Sequence, residues 1–275
     1  MKKSYVDIWI RWLPLAILLF SSFYLIIVFY LSWQIDFRQA YVRGVSEWTN
    51  QFPVSIFWLH INREGFLTEN LQWLFLWLTF FIGIICYSRL HKTYQINLKY
   101  GVLLFTIGVF LMILEDMFNI RHILANKIIA INTEGHALSI EVSNSIIRTL
   151  VEVSFYSIIG AIMLLAFIKL FFLSRLSTKT KYYLFSGYGF YAIASIASAT
   201  RHIGDWYVVT GKYILDKLLV NNVAAYNPDS IMFSIHPLSY YFMDHLVEES
   251  FELMGSTLLL GAIIYILITV IDGPS

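Results

Sequence analysis

Residues 13–31 read LPLAILLFSSFYLIIVFYL, a run without a single Asp, Glu, Lys, Arg or His. As a helix rising 1.5 Å per residue it would reach roughly 28 Å, close to the roughly 30 Å of hydrocarbon in a bilayer. It shows none of the strict alternation of a barrel strand, and lipid offers the backbone no hydrogen-bond partners, so the run predicts a spanning helix. Lys2 and Lys3 precede it, as in a signal peptide, but no small-x-small cleavage site follows. The expectation is a retained first helix.

Working outward, comparable apolar runs recur at 71–87, 102–114, 158–173, 182–199 and 258–271. Charged residues make up 13% of the 275-residue chain and hydrophobic ones 58%, against about a quarter charged in a soluble domain. The fold class predicted is all-α, a polytopic transmembrane helical bundle of about six spans forming one integral membrane domain over 1–275. It divides into hairpins at 12–92, 100–175 and 182–271. Cys86 is the only cysteine, which excludes an intrachain disulfide and a cysteine-based metal site. With a net charge of +1 and no basic run, nothing points to a nucleic-acid partner; the expected surroundings are membrane lipids.

Lys and Arg collect at 2–11, 89–99 and 169–181, separated by pairs of runs. By the preference of short basic loops for the cytoplasm, both ends are expected on the cytoplasmic side. Nearly all acidic residues then fall at the outer ends of helices or in outer loops. Val151-Glu152-Val153-Ser154-Phe155 parallels Val247-Glu248-Glu249-Ser250-Phe251, and Arg121-His122 parallels Arg201-His202 in the same order. This predicts an internal parallel repeat in which the second and third hairpins are copies.

The polar residues fall into helical stripes. Tyr241, His245, Glu248 and Glu252 are spaced by four, three and four, with Glu249 beside them and Asp244 one residue before His245. Ser195, Ser198, His202 and Asp205 form another stripe. Glu115, Asn119 and His122 form a third with Asp116 next to it, and Glu141, Ser145, Arg148 and Glu152 a fourth. Ionisable groups at membrane depth are costly and usually functional. Imidazole with carboxylates suits Zn, Fe or Mn, so His122, His202, Asp205, His245 and Glu248 are the candidate metal ligands. Glu152 and Glu252 are the candidate general bases.

Blander roles compete at several of these positions. Arg148 and Glu152, one turn apart, can neutralise each other. Arg121 and Arg201 can snorkel to lipid phosphates, and His122 and His202 beside them can be solvated helix-end residues. Ser195 and Ser198 can serve close helix packing, and the tryptophans an interfacial belt.

The stretch 244–255, DHLVEESFELMG, together with Arg63-Glu64-Gly65 through Glu69 and with Leu114-Glu115-Asp116, resembles a group of bacterial polytopic membrane proteins. That resemblance implies a bacterial inner-membrane location and carries no activity. Three functions stay open on the sequence: a metal-dependent membrane enzyme acting on a lipid or lipid-linked substrate, a cation- or proton-coupled transporter, and an accessory or scaffold subunit with a membrane-protein partner.

Overall fold

The computed structural model describes residues 5–34, 61–62, 65–90, 96–133, 140–201, 203–218, 232–233 and 236–272. The elements are α1 (Tyr5–Ser32), α2 (Leu67–Arg89), α3 (Ile96–Phe118), α4 (Ile120–Thr133), α5 (Ile140–Phe167), α6 (Thr178–Thr200), α7 (Trp206–Leu218), α8 (Leu238–Tyr241) and α9 (Glu249–Asp272). A π-helical turn, Ile168–Phe172, extends α5, and a longer π-helical segment, Phe242–Glu248, leads into α9. Two-residue strands β1 (Met232–Phe233) and β2 (His236–Pro237) pair antiparallel.

Among the described residues, five helical stretches are long and apolar enough to cross a membrane: Trp9–Ser32, Leu67–Arg89, Ile96–Phe118, Ile146–Phe172 and Ser239–Asp272. Of the runs expected to span, 182–199 is the one that falls short of that mark. Helix α6 has 23 residues, the same length as α2 and α3, but its apolar character is diluted by Tyr182, Tyr183, Ser186, Tyr188, Tyr191, Ser195 and Ser198. The expected internal repeat is not clearly shown either.

Helix α9 is the axis of the bundle. It is apolar all round and buried almost all round, from Leu253 to Ile264 with few breaks, as a helix with no polar face must be. α6, α2 and α1 pack around it, α3 packs on α2 and α5, and α4 lies on α5. Between helices in lipid there is little hydrophobic drive, and close approach of backbones carries the packing. Gly255 lies against the Tyr191 ring and Gly187 against Leu259, where a Cβ would come within 2.5 and 2.8 Å of those side chains. The opposite faces of α1 and α5 present Leu19, Phe23, Ile26, Ile158 and Leu164 outward, as lipid-facing helices should.

Direction along the bundle is fixed by contacts between distant residues. Arg11 donates to Asp272 at 2.5 Å, joining the start of α1 to the end of α9. At the other end Gln72, Asp116 and Glu252 meet, bringing together α2, α3 and α9. Tyr24 and Thr68 hydroxyls share a hydrogen bond at 2.9 Å, and Thr257 donates to Ser21 at 2.8 Å. The chain therefore runs up and down the same thickness. Ionisable residues gather where α2, α3, α5, α6 and the π-helical lead into α9 approach one another.

Candidate functional site

Two breaks in the helical path bring arginines back onto carboxylates. α3 ends at Asn119, whose φ of 47° lies in the left-handed region that Asn tolerates better than most residues. The reversal lets Arg121, at the start of α4, fold back so that its Nε stands 3.0 Å from Glu115 Oε1. Arg201 follows α6 in the same way. Its Nη1 donates to Asp244 Oδ1 at 2.7 Å, and its Nη2 lies 3.7 Å from Glu152 Oε1.

The Arg201 group joins three elements. Glu152 from α5 is 1% exposed and the Arg201 side chain 7%. Tyr207 from α7 donates to Glu248 Oε2 at 2.7 Å. His245 Nδ1 stands 3.9 Å from Asp244 Oδ2, and its ring stacks on Tyr241 at 5.5 Å. Burial works against charge on Arg201, yet Asp244 first, with Tyr240, Glu248 and Glu152, holds its pKa well above the ordinary value. Burial, reinforced by Glu248, raises the Tyr207 phenol, so it stays protonated as the donor.

The second group is centred on Gln72. Its Nε2 donates to Asp116 Oδ2 and to Glu252 Oε2, both at 2.9 Å. Beside it Arg121 donates to Ser198 Oγ at 3.1 Å and lies 5.0 Å over the Tyr156 ring. Burial also opposes charge on Arg121, but Glu115, with Glu248 and Glu152, carries the net shift upward. Neither Asp116 nor Glu252 makes an ion pair among the described residues. Glu249 is 8% exposed and its Oε2 has no hydrogen-bond partner there.

Asp116 and Glu252 open onto a cavity of about 680 Å³ between α3, α5, α6 and α9. With Glu115 they form its acidic end, and no basic side chain lines it. The rest is mostly apolar, with Met112, Gly160, Met163, Phe167, Gly189 and Ala192 among its residues, joined by the hydroxyl-bearing Tyr188, Tyr191 and Ser195. Val153, Leu164, Phe185 and Ile196 line it and are also largely exposed on the outer faces of α5 and α6. The cavity thus opens sideways, toward lipid.

These positions overturn the metal-enzyme reading. Among the described residues, no group of three or more His, Cys, Asp and Glu is placed to hold a metal ion. Glu115, Glu152 and Asp244 instead pair with arginines, and Glu248 accepts from Tyr207. The expected stripe of Tyr241, His245, Glu248 and Glu252 assumes α-helical geometry, whereas 242–248 is π-helical. Bonding from i to i+5 widens the turn, so a three-and-four spacing no longer stacks His245 and Glu248 over Glu252.

The other expected site residues are dispersed. Asp205 is exposed just before α7. Asn119 makes the α3–α4 break. Arg148 is exposed and donates to Asn126 at 3.3 Å, leaving Glu152 to Arg201. His202 lies outside the described residues, as do the side chains of His122, Glu141 and Ser145. The residues that organise the site and were not singled out from the sequence are Gln72 and Tyr207. Arg121 and Arg201, read there as snorkelling groups, are buried partners of carboxylates. An excess of acids over bases in apolar context is the signal that would have found them.

The chain matches no family model, no curated protein and no solved structure.

Proposed function

We propose that this protein binds an apolar-tailed ligand drawn sideways from the bilayer into the cavity between α5 and α6, with the ligand's polar end at Glu115, Asp116 and Glu252. The observation that carries this is the cavity itself: about 680 Å³, within the roughly 300–1,000 Å³ of small-molecule sites, apolar along its length and acidic at one end. Its lining on α5 runs from Val153 to Phe167, roughly 21 Å of helix at 1.5 Å per residue. That exceeds one leaflet's share of a roughly 30 Å hydrocarbon core and suits a single acyl or prenyl chain.

The test is photo-crosslinking in reconstituted protein with hexadecanol carrying a diazirine near its tail end, with labelled peptides mapped. Labelling should fall on 153–167 and 185–200. Gly160 and Gly189 line the cavity, and a Cβ on either meets nothing within 4 Å, so Gly160→Phe and Gly189→Phe should fill the space and suppress labelling. Labelling spread evenly over lipid-facing helices, or unaffected by both variants, would remove the pocket reading.

The proposed setting is a six-span bundle in a bacterial inner membrane, with α6 as the additional crossing and three hairpins in one domain. The pairing of Arg11 with Asp272 supports an even number of crossings, because five would leave these residues on opposite faces. The same end carries the basic residues: Lys99 lies over the Tyr87 ring and Lys181 over Phe171. By the positive-inside preference that end is cytoplasmic. A parallel repeat is supported by order alone, since a long helix, an arginine paired with acids and a short helix occur as α3–Arg121–α4 and again as α6–Arg201–α7.

A further inference from the structure

We infer that the ligand of this cavity is an amphiphile with a cationic amine head, and that Asp116 and Glu252, held in place by Gln72, are its head-group site. The inference rests on the pocket reading and adds the chemistry of the head. The acids at the polar end stand in two different states. Glu115 already has Arg121 at 3.0 Å. Asp116 and Glu252 each accept from Gln72 Nε2 at 2.9 Å, and neither makes an ion pair among the described residues.

Independent observations show acceptors left over there. Gln72 is fully buried and its Oε1 has no hydrogen-bond partner among the described residues. The buried Glu249 likewise has none at Oε2. Buried polar atoms are costly without partners. Acids outnumber cations at this end: Arg121 is already engaged with Glu115 and Ser198, and the buried Tyr191 hydroxyl, which lines the cavity without a hydrogen-bond partner among the described residues, is a single neutral group. An alkylammonium brings three N–H donors, no acceptor and one positive charge, against the carboxylates of Asp116 and Glu252 and the lone pairs of the Tyr191 hydroxyl, all of which line the cavity. A carboxylate or phosphate head would set like charge against Asp116 and Glu252 with no basic group lining the cavity.

The tail contributes little to selectivity, because moving it from lipid into an apolar cleft exchanges one apolar environment for another. Discrimination must come from the head. A hydrogen bond to a charged group is stronger than a neutral one, so the amine should be favoured on the order of tenfold over the matched alcohol.

The experiment is competition against the diazirine hexadecanol probe in full-length reconstituted protein at neutral pH, using hexadecylamine, hexadecanol, hexadecanoate and spermidine. Hexadecylamine should displace the probe at about one tenth the hexadecanol concentration, with hexadecanoate and spermidine weaker than either. In the double variant Asp116→Asn/Glu252→Gln, whose amide oxygens still accept from Gln72, the amine should lose its advantage and hexadecanol should compete as before. Equal competition by amine and alcohol in the unmodified protein overturns the head-group inference and leaves the pocket standing. Spermidine matching hexadecylamine overturns the amphiphile in favour of a soluble polyamine. Failure of the probe to label the cavity removes the pocket and this inference with it.

Discussion

Replacing Arg201 by Met tests whether the paired charges hold together the end of the bundle opposite Arg11 and Asp272. In the folded protein Arg201 stands 2.7 Å from Asp244 and 3.7 Å from Glu152, with side-chain exposures of 7%, 15% and 1%. Its loss leaves acids from α5 and from the lead into α9 facing one another without their cation. Breaking a buried pair from one side costs about 3–5 kcal/mol, or a factor on the order of 100 or more in the folding equilibrium. The assay is reversible unfolding in mixed micelles, with Arg11→Met as reference. Arg11 also pairs at 2.5 Å, but it and Asp272 are 41% and 47% exposed, and exposed pairs contribute about 0–1 kcal/mol. A triple variant, Arg201→Met/Asp244→Leu/Glu152→Leu, removes the orphaned acids and should recover most of the loss, since apolar replacement of a whole buried group is often neutral. Equal, small losses in Arg201→Met and Arg11→Met would refute the reasoning.

Other outcomes follow from single features. Stability should fall in strongly alkaline solution because Tyr207 has a raised folded pKa: its contribution is complete below the unfolded phenol's value of about 10 and is lost as pH rises toward the folded one. Unfolding midpoints of Tyr207→Phe against the parent across that range should show a shallower decline in the variant, and superimposable curves would count against the assignment. Gly211→Ala should destabilise by about 1–3 kcal/mol, because its Cβ would lie within 2.1 Å of the Ser239 backbone oxygen, which cannot swing away as a side chain does; a midpoint within error of the parent would contradict that packing. Cysteines at Arg11, Lys179 and Asp272, in a chain whose Cys86 is Ser, should all be shielded from an impermeant thiol reagent added outside intact cells, while one at Gly204 should react. Labelling of Arg11 and Asp272 variants from opposite sides would break the six-span proposal.

Much of the fold was legible because bilayer thickness imposes a length and apolarity that a run such as 13–31 satisfies alone. Helix α6 was legible as an apolar segment, yet it falls outside the five apolar stretches because its tyrosines and serines dilute it. The polar residues of the site were legible as types but not as partners. Glu115, Asp116, Glu152, Asp244, Glu248 and Glu252 were recognised as buried acids, whereas their pairing depends on two events that spacing does not encode. One is the left-handed turn at Asn119, which returns Arg121 to Glu115. The other is the π-helical segment Phe242–Glu248, which invalidates a face drawn with α-helical spacing. Gln72 carries no charge and sits in an apolar run, so nothing local marks it as the bridge between α3 and α9.

The π-helical segment has a mechanical consequence. Bonding from i to i+5 takes more residues per turn than the 3.6 of an α-helix, so removing one residue between Phe242 and Glu248 would restore regular winding within the segment while leaving the helix on either side close to its present facing. Asp244 would then leave Arg201, while Glu252, beyond the segment, would keep its place beside Gln72. The extra residue sets the facing of side chains inside the segment and leaves the rod continuous on both sides. The cluster around Arg201 and the one facing the cavity can therefore be tuned separately by mutation.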